Sequence, residues 1–115
     1  MKRKEYRIGY KVVQLTAAGT RSSLYVQCTG RVPYHPGQTA RPMPGAGPLA
    51  VFMRQADAVR FAGGMCDRAE VWRVRYVRSE WEALWVPGMA ARIPPESCPF
   101  GTDFADEVTP LRQVR

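Results

Sequence analysis

Histidine is nearly absent: His35, in the loop-like stretch PYHPG, is the only one in 115 residues. An imidazole-rich metal centre is therefore excluded, and a Cys–His nucleophilic pair has a single base to draw on. Carboxylates are missing from the whole span between Glu5 and Asp57, which leaves nearly half the chain without a carboxylate ligand or acid/base. The three cysteines, Cys28, Cys66 and Cys98, are odd in number and far apart. That argues against a disulfide scaffold and for thiols acting as small apolar residues. No apolar run approaches the ~20 residues of a membrane span. The opening MKRKEYRIGYKVV is basic but lacks the apolar region of a signal peptide. These absences lead to an expectation of a cytoplasmic protein without membrane contact, metal, cofactor or catalytic residues.

The charge that is present is one-sided. Seventeen Lys and Arg face ten Asp and Glu, a net +7, and 14 of the 17 are Arg. Residues 1–60 carry ten basic and two acidic residues, and residues 61–115 carry seven and eight. The N-terminal half should project a positive field that draws anions. A GC-rich coding sequence would also raise Arg together with Ala, Gly and Pro.

Patterning predicts one α+β domain over residues 1–115, with residues 1–5 a flexible basic N-terminus. A mainly antiparallel sheet of 4–6 strands and one main helix at about 54–63 are expected. Residues 5–15 alternate, with Tyr6, Ile8, Tyr10 and Val12 on one face. Residues 16–22 read as a turn and 23–28 as a second strand. PLAVF (48–52) reads as a strand buried on both faces. Ala58, Phe61 and Ala62 form one face of a helix, with Gly63–Gly64 as a left-handed stop. In AEVWRVRYVRS (69–79), Trp72, Val74 and Tyr76 point one way and Val71, Arg73, Arg75 and Val77 the other. Ser79 and Glu82 match a capping box for one helical turn. Pro110 marks residues 105–114 as an edge or bulged strand. Trp72, Val74, Tyr76, Leu49, Val51, Phe52 and Phe61 are expected in one core. An exposed C-terminal edge and three tryptophans suggest a twofold homodimer.

RPMPGAGPLAVF (41–52) is a stiff lead into the PLAVF strand. Its prolines fix φ, and Gly45 and Gly47 permit turns and close approach. A second reading gives the N–H groups of Gly45–Gly47 to an anion, although a Walker-type ending is missing and no helix follows.

Several of these stretches together, YKVV, GPLAVF, AVRFA, EVWRVRYV and GTDFADEVTPL, resemble a family of small uncharacterised proteins of phages and bacteria. The resemblance runs from Tyr10 to Leu111. It implies a phage-type accessory protein in a bacterial cytoplasm and no settled activity. Relatives often carry Asp after the Val-Phe pair as a helix cap; Met53 stands there instead. The middle of the chain also resembles ADP-ribosyltransferase-like folds, which would imply Arg7, Tyr25 and Glu107 as catalytic candidates.

Arg73 and Arg75 are the sharpest feature, two guanidinium groups about 7 Å apart on one strand face, suited to paired phosphate contacts. Glu70, Glu80 or Glu82 could instead neutralise them. Aromatic residues stand next to basic ones at Tyr6–Arg7, Tyr10–Lys11, Arg21–Tyr25 and Trp72–Arg73, an arrangement that can stack bases. The expectation is a concave anion site lined by some of Arg7, Lys11, Arg21, Arg41, Arg73 and Arg75, with Tyr25 or Tyr34 as a wall. The function expected is non-enzymatic binding of a phosphate-bearing small ligand, such as sequestration of a nucleotide signal. The alternatives are a nucleic-acid-binding or assembly accessory protein and an ADP-ribosyltransferase-like enzyme.

Overall fold

A computed structural model describes residues 4–16, 19, 21–23, 32–64, 68–88 and 91–115. Alternating β-branched and aromatic residues give five strands, β1 Tyr6–Leu15, β2 Arg21–Ser23, β3 Leu49–Phe52, β4 Ala69–Arg78 and β5 Thr102–Gln113. The one α-helix, α1, spans Gln55–Gly63, as the apolar spacing predicts. The chain is α+β, and every strand pairing is antiparallel. The expected second strand at 23–28 lies outside the described residues except for Ser23, as do Tyr25, Cys28 and Cys66; β2 begins earlier, at Arg21, within the stretch 16–22 expected to be a turn.

The sheet closes on itself. Strand order is β2-β1-β3-β5-β4, and β4 also pairs with β1 along nearly its whole length. Closure between β1 and β3 is made at one register pair, Tyr10 and Phe52. Gly9 makes it possible: a Cβ there would meet the Tyr76 ring at 2.7 Å and the Phe52 carbonyl oxygen at 2.8 Å. Period-two alternation then sorts side chains into an inside and an outside.

The expected single core is thus two. Val13, Leu49, Val51, Trp72, Val74, Tyr76, Ala105 and Val108 fill the interior, with Val32, Tyr34 and Ala40. Phe52 packs outside with Val12, Ala58, Ala62 and Val71, and Phe61 is half-buried against them. The physical reason is parity: Phe52 follows Val51 and must face the other way.

The proline-rich segment has a structural use. Its start is tied to β2, Tyr34 N–H donating to the Arg21 carbonyl. Its middle runs beside β5, with Gly37 N–H donating to the Pro110 carbonyl and Ala40 bridging to Val108. The segment therefore spans from one strand to another and drops Val32, Tyr34 and Ala40 into the interior. Gly45 has φ +82°, and Gly47 lies flat against Trp85, where a Cβ would come within 2.8 Å of three ring atoms. The anion reading of this loop is corrected. Ala46 N–H donates to the Met43 carbonyl and Gly47 N–H to the Trp85 carbonyl, so both are already satisfied.

Three local expectations also change. Gly64 ends α1 at φ −93°, not left-handed. Ser79 starts no helix; its Oγ accepts the Trp81 N–H at 3.0 Å, a side-chain turn that competes with helix formation. The C-terminal strand is bulged, with a register shift opposite Arg73/Val74, but it is not an edge. It pairs with β3 on one side and β4 on the other, which removes that edge as a route to dimerisation. At the start of α1 the N-cap is Arg54 and makes no side-chain cap bond, in line with the missing acidic cap.

Replacing Gly9 by Ala should cost about 1–3 kcal/mol, because one of the two obstructing atoms is backbone and cannot swing aside. Gly63→Ala, with nothing within 4 Å of its Cβ, should leave stability unchanged or raise it by up to about 1 kcal/mol. Urea unfolding midpoints measure both, and equal midpoints for G9A and the parent would contradict the closure argument.

Candidate functional site

Register places three rows of residues on the outer face. Tyr10, Arg73 and Arg112 lie opposite one another; Ile8, Arg75 and Thr109 form the next row; Tyr6, Val77 and Glu107 the third. Helix α1 covers this face only at the end that carries Val12 and Val71. Beyond it the face is partly open: Tyr6 is 54%, Ile8 44% and Leu111 46% exposed and Arg75 and Arg112 are exposed, whereas Tyr10 and Arg73 are half-buried and Val77 and Thr109 are buried. Leu111 is the extra residue of the bulge that sets Pro110 opposite Val74 and Arg112 opposite Arg73. A proline suits that position because it has no N–H to give to a ladder. The Arg75 guanidinium lies 5.1 Å from the centre of the Tyr6 ring.

The carboxylates that could neutralise these arginines are engaged elsewhere. Glu70 accepts from Arg21 Nε at 2.7 Å and from the Trp72 indole at 3.0 Å. Glu82 lies 3.9 Å from Arg78, Glu5 pairs with Arg7, and Glu107 pairs with Lys4 and Arg41. Among the described residues, no carboxylate stands within 4 Å of Arg73, Arg75 or Arg112.

The other residues expected at the site go elsewhere. Lys11 is inside: it is 4% exposed, its ammonium donates to the Ala50 carbonyl, and it sits 5.3 Å from the centre of the Tyr34 ring. Arg21, stacked 5.1 Å over Trp72, lines the same interior crevice as Lys11 and Tyr34. So three of the residues expected to share a site do come together, but the crevice has no room for a water. The two neighbouring cavities that Lys11 also borders hold about 20 and 10 Å³, space for one small molecule such as water.

Arg7 faces a different polar cluster. Asp103 is buried, accepts from the Tyr76 hydroxyl at 2.7 Å, and lies 3.7 Å from Arg7 and 3.5 Å from Arg78. Burial first, then the Asp103 carboxylate, pushes the Tyr76 phenol well above its ordinary value, so it stays protonated and donates. Arg41 is exposed beside Glu107. The single concave site is therefore divided: Lys11, Arg21 and Tyr34 within, Arg7 at the Asp103 cluster, Arg41 at Glu107, and Arg73 with Arg75 on the open face. Tyr25 lies outside the described residues.

Sequence reasoning missed Arg112, and no local signal could have shown it, since it meets Arg73 only through β4–β5 register and a bulge. It also linked Tyr6 with Arg7 and Tyr10 with Lys11 as neighbours. Alternation turns each of those pairs to opposite faces and gives the tyrosines to Arg73 and Arg75 instead. Among the described residues, no group of three His, Cys, Asp or Glu is placed to hold a metal ion. No helix there is long and apolar enough to cross a membrane.

No protein-family model matches the chain, and neither a curated protein nor a solved structure is similar to it.

Burial of Lys11 without a carboxylate pulls its amine from 10.5 down to about 7. Between those values the unfolded chain holds the proton and the folded chain does not, so stability rises with pH across that window. The full penalty is present at pH 7 and below. Lys11→Met should therefore stabilise the protein by about 1–3 kcal/mol near neutral pH, after the lost bond to Ala50 is discounted. The gain should shrink as pH climbs toward 10.5. Thermal melts at several pH values test this; a variant less stable at pH 7, with no pH trend, would contradict it.

Proposed function

We propose that the protein binds nucleic acid through the open face of β1, β4 and β5. The observation that carries this reading is the cluster of Arg73, Arg75 and Arg112 on one outer face, Arg73 half-buried and the other two exposed, with no carboxylate among the described residues within 4 Å of them. Guanidinium groups in that state favour phosphate oxygens, which they contact in pairs and with release of counterions. The net charge of +7 adds a long-range attraction for a polyanion.

The small-ligand reading, a nucleotide enclosed by arginines and tyrosines, has less support. Nucleotide-sized ligands occupy clefts of roughly 300 Å³ or more. The cavities bordered by Lys11 reach only about 20 Å³; a cleft of about 550 Å³ does exist between Lys4, Glu5, Arg78, Glu80, Trp81 and Asp106, but it holds more carboxylates than cations and neither Arg73 nor Arg75 lines it. A transferase reading has still less, since Glu107 is tied to Lys4 and Arg41.

Fluorescence anisotropy with a labelled oligonucleotide tests the proposal. Replacing Arg73 and Arg75 together by Ala should weaken binding by about 10- to 100-fold at low salt, as two charge-assisted contacts are lost. The slope of log affinity against log salt should fall by about 1–2. Unfolding stability should change by less than about 0.5 kcal/mol, since neither arginine makes an ion pair among the described residues. Unchanged affinity in the double variant would remove the face from consideration.

A further inference from the structure

We infer that the nucleic acid this face accepts is single-stranded, its bases stacking on the exposed Tyr6 beside Ile8 while Arg73, Arg75 and Arg112 hold the phosphates, with Tyr10 packed against the helix cluster at the end of the same column; this rests on the nucleic-acid reading above.

The argument starts from what lies between the arginines. A surface that only docked duplex phosphates would be polar throughout, because a duplex turns its charged backbone outward and keeps its base faces stacked inside. Here β1 supplies Tyr6, Ile8 and Tyr10 at alternate positions, about 7 Å apart along the strand. Tyr6 and Ile8 remain 54% and 44% exposed. Covering those groups with duplex phosphates would strip water from the phosphates and offer the rings no apolar partner. An unpaired base offers such a partner: a flat, weakly polar face that covers the ring and stays hydrated at its edge.

Geometry supports the same occupant. Apolar and cationic residues lie in adjacent columns, Tyr6–Ile8–Tyr10 on β1 and Arg73–Arg75 on β4, with register pairs Tyr10–Arg73 and Ile8–Arg75. A strand of nucleic acid laid along these columns meets stacking groups on one side and guanidinium groups on the other. Arg75 already lies over the Tyr6 ring at 5.1 Å. That contact holds a cation on the aromatic face, where it can both stack on an incoming base and reach a phosphate. Recognition on these terms is tolerant of sequence, since every base has a stacking face and no buried hydrogen-bonding pocket reads its edge.

The test compares a labelled oligothymidylate, a single-stranded mixed-sequence DNA and the duplex of that same DNA, at about 50 and about 200 mM salt. Tyr6→Ala, Tyr6→Phe and the Arg73→Ala/Arg75→Ala protein are measured beside the parent. The parent should bind both single strands at least tenfold more tightly than the duplex. Y6A should lose about tenfold on single strands and nothing on the duplex, Y6F should keep the parent affinity, and the arginine variant should lose on all three. Equal or tighter duplex binding by the parent, or an equal loss on duplex and single strand in Y6A, would overturn the single-strand inference and leave the nucleic-acid interface standing. Failure of the parent to bind any of the three would overturn both.

Discussion

Between Gly9 and Phe52 the two backbones run so close that a single methyl group would strike both a carbonyl oxygen and the Tyr76 ring. Much else follows from that contact. It closes a short, twisted sheet into a ring, and closure gives every strand residue an inside or an outside. The interior is then filled by Trp72, Val74, Tyr76 and Val108, with Val32 and Tyr34 delivered by the proline-rich segment. The outside is left to two competing claims. Helix α1 covers one end through Ala58 and Ala62. The remainder, with Tyr6, Ile8, Arg73 and Arg75, is uncovered.

Charge is distributed in accord with this division. Acidic residues sit where they satisfy something local: Asp103 takes the Tyr76 hydroxyl and two arginines at one cluster, Glu70 fixes Arg21 and the Trp72 indole, and Glu107 holds Lys4 and Arg41. None of these comes within 4 Å of Arg73, Arg75 or Arg112, which occupy two neighbouring rows. A cation that lacks a partner on a solvated surface costs little to the fold, so its placement there is free to serve binding. The same residue type in the interior costs far more. Lys11 shows it: its ammonium donates to the Ala50 carbonyl and not to a carboxylate, and desolvation makes its proton labile near pH 7.

The longer strands and the helix were legible because period-two and 3.6-residue patterns are local, whereas the three-residue β2 (Arg21–Ser23) is too short to show a period and fell mostly in a stretch read as a turn. The alternation at 69–79 correctly separated Trp72, Val74 and Tyr76 from Arg73 and Arg75, and the alternation at 5–15 correctly grouped Tyr6, Ile8 and Tyr10. Gly45 and Gly47 were also legible, as a turn and a close approach. What local patterns cannot express is closure. Phe52 and Phe61 read as core beside Trp72 because nothing in the chain says that the sheet becomes a ring with two separate apolar sides. For the same reason Arg7, Lys11 and Arg73 read as members of one site, although strand parity sends the first two inward and the third outward. Arg112 was invisible, since its place beside Arg73 depends on a bulge at Pro110. Ser79–Glu82 misled because a cap motif needs a helix long enough to repay nucleation, and the chain turns at Pro87 too soon.

The central claim is that the outer β1–β4–β5 face, and not the interior, meets the ligand. Two-dimensional NMR of labelled protein titrated with a short single-stranded DNA tests it most directly. The account predicts saturable shifts confined to the backbone and side chains of Tyr6, Ile8, Tyr10, Arg73, Arg75 and Arg112. Shifts concentrated instead at Lys11, Tyr34 and Trp85, or no saturable shifts at all, would contradict it.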